Sequence, residues 1–191
     1  MANGCTDRTA EIARGRCGRL IVLSQKSLGV ARNLGARMAR GELLVFLDAD
    51  THLEPMALRG IVEEFTQACS GGTIRGCPDS NRPLHHALYG LKNFVHRCSL
   101  HPGTSGVILC WKKQFLEVGG FDEGLEVREN SELMRRLARF GRYKYIGEVA
   151  ATTSMRRYEQ RGFGRVALLW IRLWLRSIFG DLHNRTYEPV R

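Results

Sequence analysis

The chain has 191 residues, 43% of them hydrophobic and 25% charged, the balance of one globular domain with or without an appendage. Lys and Arg number 29 against 19 Asp and Glu, a net charge of +10 that favours anionic partners such as phosphate, nucleic acid or a membrane surface. Global disorder, collagen-like repeats, a coiled coil and a small disulfide scaffold are excluded.

Taken in chain order, Thr6 or Asp7 caps a helix through residues 11–14, because a short oxygen side chain accepts from the free backbone donors there. Residues 19–24 (RLIVLS) have strand character. A second helix covers 29–40 and ends at Gly41. The unbroken apolar run 43–47 (LLVFL) suits a strand covered on both faces, and it stops at Asp48-Ala49-Asp50. Pro55 opens a helix through residue 65. Residues 70–101, punctuated by Gly and Pro, read as connecting structure around a substrate site. Residues 106–109 form a short strand and 112–118 a helix. In 129–140, Leu133, Met134, Leu137 and Phe140 recur at helical spacing before Gly141. Residues 142–149 read as an edge strand. Helix and strand alternate, which points to a layered α/β fold.

The boundary falls after residue 154, giving a domain over 1–154 and a basic helical extension over 155–191. The extension carries eight Arg against Glu159, Asp181 and Glu188. Within 163–180, Arg165, Arg172 and Arg176 fall on one narrow helical stripe, and the other faces are Leu, Ile, Val, Trp and Phe. Two arginines near its centre argue against a spanning helix. Two readings stay open: an interfacial helix with Trp170 and Trp174 in its apolar body, or a helix packed on its own domain with its arginines in water.

The six cysteines (Cys5, Cys17, Cys69, Cys77, Cys98 and Cys110) form no C-x-x-C pair and read as reduced thiols of a cytosolic protein. His85, His86, His96 and His101 share their middle stretch, but without the paired spacing of a structural zinc module. They are expected to be scattered core or surface residues.

The sharpest local signal is Asp48-Ala49-Asp50. Ligands of open α/β sheets bind beyond the carboxyl ends of the strands. Two carboxylates one residue apart can there face Mg²⁺ or Mn²⁺ bridging a diphosphate, or merely cap the next helix. Read with its surroundings, the pair belongs to a longer pattern. Asn3-Gly4-Cys5-Thr6-Asp7-Arg8-Thr9, Gly29-Val30-Ala31-Arg32-Asn33-Leu34-Gly35 and Gly41-Glu42 leading into LLVFLDAD come first. Gly119-Gly120-Phe121-Asp122-Glu123, Glu129-Asn130-Ser131-Glu132-Leu133 and Arg136-Leu137 follow. Together and in this order they resemble the family 2 glycosyltransferases, over nearly the whole chain up to about residue 157.

The resemblance implies a GT-A fold, a Rossmann-like mixed sheet flanked by helices that binds a nucleotide sugar, and inverting transfer from a nucleoside-diphosphate sugar to a lipid-phosphate or glycan acceptor. It implies Asp48 and Asp50 of a DXD motif as holders of Mn²⁺ or Mg²⁺, which would stabilise the departing diphosphate. Asp7 would bind the donor. Arg32 and Asn33 would contact the nucleotide or form a helix surface. Arg156 and Arg157 would clamp donor phosphates or stand as a solvated basic run. Gly119 and Gly120 would give a turn beside the acceptor, with Asp122 as a hydroxyl contact, or simply a tight loop.

Two departures from the family matter. The family's first strand and helix have no counterpart upstream of residue 2, and Ala2 stands where an acidic residue is usual. An unpaired sheet edge is therefore expected, and with it a second reading: a non-catalytic fragment, or the subunit of a split enzyme. Asn130 stands where the family has the Asp that acts as general base, and an amide cannot take that proton. Glu129 or Glu132 would then substitute, although on a helix neither points the way residue 130 does. An already ionised polyprenyl phosphate would need no base. A cytoplasmic enzyme, peripheral at the cytoplasmic membrane face and without specific nucleic-acid binding, is the expectation.

Overall fold

The computed structural model describes residues 1–99, 103, 106–125, 128–166 and 168. The chain opens with strand β1 (Ala2–Asn3), helix α1 (Thr9–Arg14) and strand β2 (Val22–Leu23), and β1 and β2 pair in parallel. Helix α2 (Leu28–Met38) follows. Ser27 accepts from Val30 N at 3.4 Å to cap it, and Ser27 N donates to Asn3 Oδ1, tying the helix start to β1. Small residues Gly29, Ala31 and Ala36 form its buried face.

The main sheet uses β3 (Leu43–Leu47), β4 (Thr51–Leu53), β5 (Cys69–Pro78), β6 (Val107–Trp111) and β7 (Arg142–Thr153), in the order β3-β6-β5-β7-β4. Strand β6 runs antiparallel to β3 and β5, while β5 and β7 are parallel. Strands β3, β5 and β7 therefore share one direction, and their carboxyl ends gather at one edge of the sheet. That edge carries Asp48, Asp79 and Ser154. Backbone bonds stitch it: Asp48 N to Gly106 O, Ser154 N to Asp50 O and Asp79 N to Thr153 O.

Both faces of the sheet are covered by α3 (Ala57–Glu64), α4 (Pro83–Arg97), α5 (Lys112–Glu117) and α6 (Glu129–Leu137) together with α2. In β6 alternate residues serve opposite cores, as the pleat requires. Ile108 and Cys110 pack with Leu44, Phe115, Phe121, Leu133 and Leu137. Val107 and Leu109 pack with Ile61, Phe65, Ile74 and Ile146. A third cluster joins Tyr89 of α4 to Met155, Val166 and Tyr158, the last on α7 (Arg156–Arg161), with Phe163 against it.

Several expectations are corrected. Residues 70–101 are not connecting structure: they hold β5, the middle strand of the sheet, and the 15-residue α4. Strand β7 is not an edge; it runs on to Thr153 between β5 and β4. Only Val22–Leu23 of the 19–24 run is strand, and α6 stops at Leu137. Arg172, Arg176, Trp170, Trp174 and the rest of the 163–180 stripe beyond residue 168 lie outside the described residues. Among the described residues no helix is long and apolar enough to cross a membrane.

Strand β5 reads poorly as a strand because Gly71 and Gly72 break its pattern, and Gly72 is dictated by packing. A Cβ on Gly72 would run into the Lys144 carbonyl oxygen of β7 and come within 3.1 Å of the Phe65 ring. Gly72→Ala is accordingly expected to cost about 2–3 kcal/mol, read as a lower urea midpoint at unchanged slope. Gly90→Ala on α4, where a methyl meets nothing within 4 Å, is expected to stabilise by about 0.5–1 kcal/mol.

Candidate functional site

The site is organised by two neighbours on α2. Arg32 reaches across the carboxyl edge of the sheet. One guanidinium nitrogen donates to Asp48 Oδ1 at 2.7 Å; the other donates to Glu129 Oε1 at 3.0 Å and Asn130 Oδ1 at 2.8 Å. Its flat face lies 5.1 Å from the centre of the Phe121 ring, a favourable seat for a guanidinium. Glu129 and Asn130, adjacent in sequence, thus converge on one cation. They reach it from adjacent positions at the start of α6, which Arg128 enters at φ 62°; the guanidinium nitrogen lies between them, so two different directions from the helix end at one donor.

Asn33 works on the same loop from behind. It is 4% exposed and pairs with the Phe121 backbone like one more strand residue. Its Nδ2 donates to Phe121 O at 2.9 Å, and its Oδ1 accepts from Phe121 N at 2.8 Å. Nδ2 also reaches Glu123 Oε1 at 2.9 Å. The amide expected at a nucleotide is therefore spent on bracing the Gly119–Glu123 turn. Gly119 and Gly120 adopt φ of 84° and 76°, and a Cβ on Gly120 would strike Asn33 Oδ1. Asp122 closes the turn by accepting from Gly124 N at 2.9 Å.

The remaining candidates divide. Asp50 is exposed at the tip of the corner. Arg157 is partly buried and acts electrostatically on Asp48, whereas Arg156 is exposed. Glu132 is committed elsewhere: both its oxygens take Arg136, at 2.7 and 2.5 Å. Asp7 accepts from Thr9 N and Oγ1 at 3.0 and 2.5 Å in the exposed start of α1, and these bonds hold its carboxyl below the usual range. His85 is buried, bonded to Ser80 Oγ and stacked on Phe163.

Burial raises the Asp48 carboxyl, against the opposing pull of Arg32, and it raises Glu129 in the same way. Among the described residues no group of three or more His, Cys, Asp and Glu gathers as a metal cage. The corner offers the second oxygen of Asp48 and the Asp50 carboxylate. Such a sparse, hard donor set fits Mg²⁺ or Mn²⁺, which complete their shells with water and phosphate oxygens. A cleft of about 450 Å³ between Glu63, Glu64, Arg142 and Lys144 lies at the opposite end of β7.

One residue against the third cluster was not singled out by the sequence. Lys92 stands on the inward face of α4 with His85, Tyr89 and His96. Its Nζ lies 4.7 Å from the Tyr89 ring centre and 5.9 Å from that of Tyr158. Only its 85-89-92-96 spacing, which puts a lysine in line with buried residues, could have flagged it.

A topology of this kind, with its carboxylate corner at the carboxyl ends of parallel strands, defines a nucleotide-sugar-type α/β domain of GT-A form. The sequence profile of glycosyl transferase family 2 matches residues 2–121, and the chain belongs to that family. No curated protein sequence matches it. Among solved structures it is similar to a mannosyltransferase, PcManGT from Pyrobaculum calidifontis, in complex with GDP-mannose and Mn²⁺. The identity is 18% and the TM-score 0.57, over 76% of this chain and 41% of that one. It is also similar to TarS from S. aureus, with 17% identity and a TM-score of 0.59 over 81% of this chain and 30% of that one. The chain thus spans less than half the length of either.

Arg32 and Glu129 are 11% and 10% exposed at their side chains, so removing the cation strands a buried carboxylate. Arg32→Met is expected to cost about 3 kcal/mol at pH 8. Without the guanidinium both carboxyls titrate still higher, and acid neutralises them. The deficit against the unmodified chain should therefore shrink from pH 8 to pH 5, as checked by urea unfolding at both values.

Proposed function

We propose that the chain is a glycosyltransferase domain that moves a sugar, with inversion, from a nucleoside-diphosphate sugar to an acceptor. The carrying observation is the Arg32 hub, which binds the Asp48 corner and the Glu129-Asn130 helix start into one unit at the carboxyl edge of the sheet. Family membership and the GDP-mannose and Mn²⁺ in the archaeal mannosyltransferase support the same reading. When bound by Asp48 and Asp50, Mg²⁺ or Mn²⁺ supplies positive charge to the leaving diphosphate.

In this reading Arg157, and Arg156 beside it, binds the donor's phosphates, and Arg32 orients Asp48. Gly119, Gly120 and Asp122, held by Asn33, line the acceptor side. The acceptor oxygen attacks the anomeric carbon, and the bond from that carbon to the diphosphate oxygen breaks with its electron pair leaving on the nucleotide. A hydroxyl acceptor must also lose a proton. Asn130 cannot accept it, and Glu132 is bound to Arg136, which leaves Glu129 as the only carboxylate of the three beside Arg32.

The acceptor we favour is a polyprenyl phosphate, which arrives already ionised. Asn130 supports this, as does an apolar stripe on the outer face of α4, where Leu84, Leu91 and Phe94 are 54%, 61% and 58% exposed. A stripe of that kind, with a basic C-terminal extension, suits peripheral seating at the cytoplasmic membrane face. The domain over 1–154, with Arg156 and Arg157 just beyond it, would carry the chemistry, and the α4 stripe with the rest of 155–191 the membrane contact. A second reading, a non-catalytic binding subunit of a split glycosyltransferase, is favoured by one observation: β1–β2 forms a sheet apart from the main one, whose β3 is an edge strand.

Two outcomes test the first reading. Asp50→Asn should reduce Mn²⁺-dependent sugar transfer at least a hundredfold, followed with radiolabelled nucleotide sugars. Transfer to polyprenyl phosphate should survive Asn130→Ala. Efficient transfer to a glycan hydroxyl and none to the lipid would overturn the lipid assignment, and no transfer from any nucleotide sugar would favour the split-subunit reading.

A further inference from the structure

Asp50 is an exposed carboxylate on a turn, and such a side chain is an accurate ligand only if the backbone beneath it is held. The turn is held from three places. Within it, Thr51 N donates to Asp48 O at 3.0 Å. From the residue before β6, Gly106 O accepts from Asp48 N at 3.0 Å. From the end of β7, Ser154 N donates to Asp50 O at 2.9 Å.

Side chains join the same junction. Thr51, the first residue of β4, stands opposite Thr153, the last of β7, and their hydroxyl oxygens are 3.1 Å apart. Thr51 is 4% exposed, so its hydroxyl must find a partner inside the protein. Gly106, at φ 85°, lies against the pair. A Cβ there would stand 2.6 Å from the Thr51 hydroxyl oxygen and 3.1 Å from that of Thr153. The backbone that bonds Asp48 thus passes the two threonines as closely as a glycine allows.

The consequence for Asp50 is geometric. Its carbonyl is bonded to the amide that follows Thr153, and the side chain that follows it is bonded to Thr153 itself. The Asp50–Thr51 link is therefore fastened to β7 at both ends. The chain then continues through Ser154, whose hydroxyl accepts from Arg156 N at 3.3 Å, into the two arginines that open α7. One strand end sets where the corner stands relative to Arg156 and Arg157.

We infer that Thr153, through its hydroxyl bond to Thr51, is a positioning residue that holds the Asp48–Asp50 turn in the form that presents Asp50 to a divalent cation. The inference rests on the glycosyl-transfer reading for the cation and for the diphosphate beside it. A hydroxyl-to-hydroxyl bond has a preferred length and direction, whereas two valines would fill the same space and fix neither.

The test is Mn²⁺ binding to the full chain without nucleotide, read from the free-ion signal in electron paramagnetic resonance. The unmodified chain should bind the ion. Thr153→Val should weaken it roughly tenfold, the usual loss when a group that orients a metal ligand is removed, and Thr153→Ser should recover most of it. Thr51→Val combined with Thr153→Val leaves no hydroxyl unpaired. This double variant should keep the melting temperature of the unmodified chain and still bind Mn²⁺ as weakly as Thr153→Val. Ser70→Ala controls for general loosening. It removes a buried hydroxyl bond, to Gly141 O at 3.0 Å, at the amino end of β5, and should leave Mn²⁺ affinity unchanged. Unchanged affinity in the double variant overturns the inference, whatever Thr153→Val shows. So does equal weakening in Ser70→Ala, a loss that Thr153→Ser fails to recover, or absence of Mn²⁺ binding by the unmodified chain at millimolar concentration. Sugar transfer assayed on the same samples keeps the two ideas apart. Transfer with Mn²⁺ affinity untouched by the double variant removes the threonine pair alone. Threonine-dependent Mn²⁺ binding in a chain that transfers no sugar leaves the pair and removes the glycosyltransferase reading.

Discussion

One guanidinium holds the carboxyl edge of this domain together. Arg32 is the meeting point of three pieces that are far apart in sequence: the strand end at Asp48, the helix start at Glu129 and Asn130, and the aromatic loop at Phe121. Its neighbour Asn33 fastens that loop by its backbone. A fixed fork of donors is what such a junction requires, since a lysine would offer the charge without the geometry. Both carboxylates at the junction are raised by burial and held down by the same cation. Their ionisation, their orientation and the fold around them are therefore one problem, with one solution on α2.

The parts of this arrangement differ in how readable they were. LLVFLDAD announces itself because a strand covered on both faces must be apolar throughout and must end in polar residues at the sheet edge. The α6 helix is legible from Leu133, Met134 and Leu137. Strand β5 is the opposite case. Its first half carries Gly71 and Gly72, and the Lys144 carbonyl lies where a Gly72 side chain would go, so tertiary packing erases the strand pattern. Helix α4 was hidden by His85, Gly90 and Lys92, although Pro83 stands at its first turn, where proline is at home.

At the site itself, residue types were readable and partnerships were not. Arg32 and Asn33 were both legible as candidates, but nothing local says that one turns toward the carboxylates while the other is sealed under a loop 88 residues away. Glu132 looked as available as Glu129 until Arg136, one helical turn on, claimed it through both oxygens. An i, i+4 pair of that kind was open to inspection in the sequence. Lys92 had no such local clue beyond its register with buried neighbours.

The register of the main sheet bears on how the chain is made. Strand β3 pairs with β6 from Leu43–Trp111 to Leu47–Val107, so its partner leaves the ribosome about 60 residues later. At roughly 5–20 residues per second, the LLVFL segment waits some seconds, apolar and unpaired, before the strand that covers it has been synthesised. The Arg32 hub closes later still, once α6 has emerged. Nascent chains of this protein thus pass through an interval in which this apolar stretch depends on a chaperone or on crude burial against α2.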